Sequence, residues 1–263
     1  MNSAAPTNSP AMLMQEVQVG SLRPAGPPVL SGVNWSVASG EFWVVAGLAQ
    51  TGKTDLLMLA GGLVPPLTGS YRLFGRDLRE LGEAGLAERL QVAFVPDHGQ
   101  MFSQLTIAEN IALPLRYQRN LDAEEAVREI LGLLEMLELL PFAGAWPASL
   151  SRDWLKRAAL ARALVLRPRV LLCDHPLGGL GIRHRRWWLQ FLDQLWHGHE
   201  YFGGTPMTVV VTTAELAPWQ HAGRRFALLR DGQFLPLGAW SEVIQSADPT
   251  LGELLTQAPQ PTL

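Results

Sequence analysis

Several things are scarce in this sequence. There is one cysteine, Cys173, and it sits inside an apolar run. A lone buried thiol excludes an intramolecular disulfide and a cysteine metal site, and it suits a reducing cytosol. No stretch of 18 or more residues is apolar throughout, so no transmembrane helix is expected. The segment from Met1 to Met12 lacks the basic and apolar regions of a signal peptide and reads as a flexible tail, residues 1–12. Charged residues make up only 17% of the chain, and the net charge is −3. The basic residues form no stripe, which excludes the footprint of a nucleic-acid binder. One basic cluster, Arg183-His184-Arg185-Arg186, precedes Trp187 and Trp188 and reads as a solvated helix start over a buried aromatic pair. His197 and His199 have no further ligands clustered with them and are not read as a metal site.

Apolar residues, by contrast, are plentiful. They are 48% of the 263 residues, enough for one large α/β domain or for a domain with an inserted lobe. Gln15 to Val19 and Val33 to Val37 alternate apolar and polar residues, the pattern of half-buried antiparallel strands. Phe42 to Ala46 is continuously apolar, the mark of a strand buried on both faces. A helical pattern follows from Asp55 to Gly61. Between Phe102 and Leu155 the chain is mostly helical. There Asp122 and Glu125 have capping-box spacing, and Val127, Ile130, Leu131, Leu134, Leu137 and Leu140 form a core-facing stripe that Pro141 ends. Buried strands return at Val170 to Cys173, Thr208 to Val211 and Arg225 to Leu229. Strands alternating with helices imply a largely parallel sheet. The expected division is an α/β core with an antiparallel β subdomain over residues 13–98 and 158–263, and an inserted helical lobe over residues 99–157.

Gly47-Leu48-Ala49-Gln50-Thr51-Gly52-Lys53-Thr54 matches G-x-x-x-x-G-K-[ST] between a buried strand and a helix. Backbone N–H groups at such a helix start bind phosphate oxygens. Gly52 lets the backbone approach, Lys53 places a charge at the β- and γ-phosphates, and Thr54 offers a hydroxyl to Mg²⁺. Gln50 stands where related loops carry glycine, and its side chain is expected to narrow the cradle. The fold class expected is a P-loop NTPase, RecA-like, with a parallel-sheet core.

Four segments in order resemble the ATP-binding subunits of ABC transporters over nearly the whole chain. They are the P-loop; Phe102 to Leu115, with Leu105-Thr106-Ile107 and Glu109-Asn110; Leu150 to Leu164, similar to the signature region; and Val170 to Gly181, similar to the Walker B segment and D-loop. This resemblance implies ATP and Mg²⁺ as ligands. The nucleotide contacts it implies are Gly47, Gln50, Thr51, Gly52, Lys53, Thr54, Asp55 and Ser151, with Thr54 and Asp174 at the metal. It also shows departures. The Q-loop glutamine aligns with Asp97, the signature glycines with Arg152 and Asp153, the catalytic glutamate with His175, the D-loop aspartate with Gly181, and the switch histidine with Thr213. No aromatic between Ser21 and Pro27 is available to stack on adenine.

In the family two such subunits sandwich ATP between one P-loop and the other signature, so a carboxylate at Asp153 would face a triphosphate. Like charges at about 4 Å repel by ~1 kcal/mol in water and by more when buried. Protonation of His175 beside Lys53 and Mg²⁺ is disfavoured, which makes it a poor replacement for glutamate. The resemblance therefore implies a subunit that binds ATP-Mg²⁺ with weak or absent hydrolysis. It would lie on the cytoplasmic face of the inner membrane and partner permease subunits and a second ATP-binding subunit, identical or an intact paralogue. Met101 to Thr106 and Ser241 to Pro249 are similar to segments of the ATPases of MCE-type (Mla-like) lipid transporters, which implies a lipid cargo. Two alternatives stay open: a competent ABC ATPase with atypical catalytic residues, and a regulatory ABC-type binding module without a permease.

Overall fold

The computed structural model describes residues 10–21, 27–80, 85–221 and 223–256. Most of the expected tail, residues 1–9, lies outside these, as do residues 22–26 of the stretch searched for an adenine-stacking aromatic. The described strands are β1 (Met12–Val19), β2 (Leu30–Val37), β3 (Phe42–Gly47), β4 (Thr68–Leu73), β5 (Arg76–Asp77), β6 (Val92–Val95), β7 (Val170–Cys173), β8 (Thr208–Thr213), β9 (Arg225–Arg230) and β10 (Gln233–Ala239). The described helices are α1 (Lys53–Ala60), α2 (Leu86–Arg89), α3 (Ile107–Arg119), α4 (Ala123–Glu129), α5 (Leu131–Met136), α6 (Arg152–Leu164), α7 (Ile182–His197), α8 (Trp240–Gln245) and α9 (Pro249–Thr256).

The strands form two sheets. One has four antiparallel strands in the order β2-β1-β4-β5, and the other has six in the order β10-β9-β3-β8-β7-β6. In the larger sheet all neighbours are parallel except β10, which runs antiparallel to β9. The apolar run 42–46 explains why β3 sits inside this sheet. Phe42, Val44 and Ala46 enter one core with Leu171, Val209 and Trp188, whereas Trp43 and Val45 enter a second with Leu172, Leu56 and Trp35. The smaller sheet contributes Met12, Met14, Val17 and Val33 to the second core. Thus Ala11 and Met12, placed at the end of the tail by the sequence, are buried, and Met12 opens β1.

The helical block begins at a capping box. The Thr106 side chain accepts from the Glu109 N–H, and the Glu109 carboxylate accepts from the Thr106 N–H at 2.7 Å. Asn110, fully buried, fixes the loop before it. Its side-chain oxygen accepts from the Phe102 N–H at 2.8 Å, and its amide donates to the Phe102 and Leu105 carbonyls, each at 3.0 Å. The Asp122–Glu125 capping box is present as well.

The long stripe expected behind it is not one helix. The chain turns at Ile130 (φ −93°, ψ −1°), which ends α4 and starts α5, and a 3-10 turn takes over at Leu140–Phe142. The change of phase carries Leu131 and Leu140 out to solvent, while Ile130, Leu134 and Leu137 stay in the core. Gly132 lies at this break. A Cβ there would stand 3.3 Å from the Tyr201 ring, so the chain passes close to that ring. The signature-like helix α6 runs through residues 157 and 158, and it packs on both α3 and β6. The helical block and the sheet therefore share it. Arg157, nearly fully buried, lies over the Trp154 and Trp187 rings at 4.6 and 3.8 Å and pairs with Glu138 at 2.8 Å.

Replacing Asn110 with alanine leaves the Phe102 N–H and the Leu105 carbonyl without these partners. The expected loss is about 1–3 kcal/mol of unfolding free energy, read by urea denaturation. A loss under a few tenths would show that water substitutes for the amide.

Candidate functional site

β3 ends at Gly47, and α1 starts at Lys53. The five residues between them wrap a tight loop. A Cβ on Gly47 would stand 2.5 Å from Thr51 Oγ1 and 2.9 Å from the Leu229 carbonyl, so only glycine fits. Gly52 has φ +87°, and a Cβ there would stand 2.4 Å from Val29 Cγ1. Gln50 also lies in the left-handed region at φ +63°, which explains the preference for glycine at that place. Its side chain is exposed at the rim of the cleft rather than folded into the loop. The Thr51 hydroxyl donates to the Leu48 carbonyl at 3.0 Å, and the Lys53 ammonium donates to the Gly47 and Leu48 carbonyls at 2.7 and 2.5 Å. No side chain caps α1. Its first turn thus presents backbone N–H groups to the cleft.

Asp174 follows β7 at the same sheet edge and is mostly buried. Its Oδ2 accepts from the Thr54 hydroxyl at 2.7 Å, and its Oδ1 accepts from the Thr212 hydroxyl at 2.7 Å. Thr212 in turn accepts from the His175 N–H at 2.9 Å. Burial pushes the Lys53 ammonium down to about 8, partly offset by the Asp174 carboxylate.

These groups open into a cleft of about 970 Å³. Its walls are the loop 48–55, Asp97, Arg152, Asp174, His175, residues 178–181 and the Arg185–Glu215 ion pair. Of the residues expected from the sequence, Gln50, Thr51, Gly52, Lys53, Thr54, Asp55, Asp97, Asp174, His175 and Gly181 meet here. Gly47 forms the loop's base. Ser151 and Thr213 do not line the cleft. Ser151 is exposed at the start of α6. Thr213 is buried, and its hydroxyl donates to the Glu215 carbonyl at 2.8 Å and accepts from the Glu215 N–H at 3.0 Å.

The other departures from the family pattern make contacts of their own. Asp97 Oδ1 lies 2.7 Å from the Lys156 ammonium and 3.5 Å from Arg152. Arg152 also lies against Gly179, where a Cβ would stand 2.7 Å from its guanidinium. Asp153 faces its own chain, 3.8 Å from His184 Nε2. His175 sits at φ +46° with its ring over Gly178, where a Cβ would stand 1.8 Å from ring carbon Cδ2. Burial, reinforced by Lys156 and Lys53 and opposed by Asp97, holds its pKa below the usual histidine value.

Lys156 and Thr212 are the site groups that motif reading missed. Thr212 gives no local signal. Lys156 does: the chain has two lysines among its 21 basic residues, Lys53, which lines the cleft, and Lys156, buried behind its wall against Asp97.

The set fits a nucleotide and a hard cation. The loop backbone is too tight for a Cβ at 47 or 52, and a hydroxyl and a carboxylate, oxygen donors suited to Mg²⁺, are one hydrogen bond apart. A loop so shaped at the end of a central parallel strand makes this a P-loop nucleotide-binding protein. Within that class the chain belongs to the ABC transporter family, whose sequence profile matches residues 30–178, more than half of its length. It is 36% identical over 219 residues to the methionine import ATP-binding protein MetN of Caulobacter vibrioides, an alignment covering 83% of this chain and 64% of that protein. It is 37% identical over 159 residues to the lipoprotein-releasing system ATP-binding protein LolD of Geobacter metallireducens, covering 59% of this chain and 69% of that one. The dimeric ATP-binding cassette MJ0796 bound to ADP and Pi superposes with a TM-score of 0.73 at 28% identity, covering 84% of this chain and 95% of that chain. The chain spans 64% or less of the length of MetN from C. vibrioides and of the sulfate/thiosulfate ATP-binding proteins it also matches.

Phosphate near Lys53 opposes the effect of burial and raises its pKa again. ATP binding in metal-free buffer should therefore take up protons between about pH 8 and the ordinary lysine value of 10.5, with affinity falling as pH rises through about 8. Calorimetry in buffers of different ionisation enthalpy reads this uptake. Binding without proton uptake at pH 9 would show that Lys53 is not at the phosphates.

Proposed function

We propose that this chain is the nucleotide-binding subunit of an ABC-type membrane transporter, and that it holds ATP-Mg²⁺ while hydrolysing it weakly or not at all. The observation that carries this reading is the contrast within one cleft. Thr54 is hydrogen-bonded to Asp174, and Lys53 lines the same cleft at an uncapped helix start. The groups at the hydrolysis positions are committed elsewhere: Asp97 to Lys156 and the Thr213 hydroxyl to Glu215. His175 is folded onto Gly178.

In this reading the backbone of 47–54 orients the phosphates, Lys53 neutralises them, and Thr54 and Asp174 hold the cation. Mg²⁺ supplies charge neutralisation between the phosphates. Three carboxylates at the cleft are already engaged, Asp97 by Lys156, Glu215 by Arg185, and Asp174 by Thr54 and Thr212, so none of the three is a free water-orienting base. Losing such a group lowers the rate by orders of magnitude.

The helical lobe over residues 99–157 would face the permease subunits, and a second ATP-binding chain would close the cleft. MJ0796 is dimeric, and the fold neighbour cbiO1 of Clostridium perfringens is described as part of the complex cbiONQ. In this reading the chain attaches peripherally at the cytoplasmic face of the inner membrane; among the described residues no helix is long and apolar enough to cross a membrane. The named relatives differ in cargo, from methionine to lipoprotein. A lipid cargo rests on the likeness of 101–106 and 241–249 to MCE-type ATPases.

A competent ATPase with atypical residues is the second reading. It is favoured by the place of His175, whose side chain lines the cleft beside Asp174.

Calorimetric titration with ATP and Mg²⁺ tests the binding. Saturable binding is expected, weakened about tenfold or more by Lys53→Ala, a loss of ~1.4 kcal/mol or more. No binding by the wild-type chain at millimolar ATP would overturn the reading.

A further inference from the structure

Lys156 is buried in α6, with 1% of its side chain exposed. An ammonium has three protons, and three acceptors surround this one. They are the His175 carbonyl at 2.8 Å, the Gly178 carbonyl at 2.8 Å and Asp97 Oδ1 at 2.7 Å. Two of them belong to the loop after β7 and the third to the loop after β6. One side chain therefore ties the signature-like helix to both loops that wall the cleft.

The other basic side chains near Asp97 lie farther from it. Arg152 is 40% exposed and stands at 3.5 Å, and His98 is 71% exposed and stands at 3.6 Å. Burial of an ion is tolerated only when it is fully paired, and Lys156 meets that condition with Asp97 as its one close carboxylate. His175 sits in a backbone conformation that side chains disfavour, and it is held from both sides. Its N–H donates to Thr212 and its carbonyl accepts from Lys156.

Asp97 shares the cleft with Lys53 and Asp174. Left unpaired there, its carboxylate would repel a triphosphate. We propose that Lys156 is the positioning residue of the nucleotide site: it neutralises Asp97 at the wall of the cleft and, through the same ammonium, sets the loop that carries His175. The arrangement compensates for an acid at the Q-loop position, and it rests on the nucleotide-binding reading above.

The full chain is compared as wild type, Asp97→Asn, Lys156→Gln and the double variant. Calorimetry with ATP in metal-free buffer and with Mg²⁺ reads the charge effect. Amide hydrogen exchange of residues 174–181 without nucleotide reads the loop. Lys156→Gln is expected to weaken metal-free ATP binding by about tenfold, with a smaller loss in Mg²⁺, because the cation screens Asp97. Adding Asp97→Asn should bring affinity back to within about threefold of wild type, since the unpaired charge is gone. Exchange at 174–181 should rise in both Lys156 variants and stay at the wild-type level in Asp97→Asn.

Equal losses of affinity in the single and double variants, with exchange raised across the whole sheet, would reduce Lys156 to a structural pin and overturn the proposal. Unchanged exchange at 174–181 would overturn it too. Should Lys156→Gln fail to fold, Lys156→Arg keeps the charge but not the three-point geometry. It should hold ATP affinity and raise loop exchange, and loss of both would count against the charge role. Failure of the wild-type chain to bind ATP would instead overturn the nucleotide reading, leaving the exchange comparison to decide the hold on the loop.

Discussion

The Asp174 carboxylate, accepting one hydroxyl from Thr54 and one from Thr212, is the interaction around which the site is arranged. It joins the start of α1, the end of β7 and the end of β8 at one edge of the parallel sheet. The register makes this possible: Cys173 lies beside Val211, and Ala46 beside Thr213, so the three strand ends arrive level. A shift of one residue in any of them would turn Asp174 or Thr212 to the wrong face of the sheet. The two cores on either side fix that register, because alternate residues of β3 belong to different cores. Packing far from the cleft thus sets the distance between a hydroxyl and a carboxylate within it.

Charge around the cleft is divided between a half that faces the ligand and a half that faces the protein. Lys53 belongs to the first, with its ammonium over the loop carbonyls. Lys156 belongs to the second, consumed by Asp97 and two backbone carbonyls. Arg152 and Asp153 turn toward residues 179–184 of the same chain. The signature end of α6 is therefore occupied with its own subunit. The proposed nucleotide site therefore rests on the loop, Lys53, Thr54 and Asp174.

Much of the fold was legible because its signals are local. The apolar runs at 42–46, 170–173 and 208–211 read directly as buried strands, and the glycine spacing of 47–54 reads as a cradle whose tightness the glycine contacts display. The stripe from Val127 to Leu140 misled, because periodicity cannot register a turn at Ile130 that resets the phase and exposes Leu131 and Leu140. Order and spacing led to Asp97 and His175, which meet at the cleft, and to Thr213, which does not line it. Their partners were not legible, since Lys156 stands 59 positions from Asp97 along the chain and meets it only after the sheet closes. Thr213 shows the same limit: its hydroxyl is spent on its own turn at Glu215, a contact with no sequence signature.

The central claim is that this site holds ATP and leaves it intact. A single-turnover measurement addresses it most directly, with the chain in excess over γ-labelled ATP and Mg²⁺ and label release followed over hours. The account predicts ATP recovered uncleaved, at a rate indistinguishable from Lys53→Ala. Label released within minutes by the wild-type chain and not by Lys53→Ala would contradict it and establish His175, or another group at the cleft, as a working catalyst.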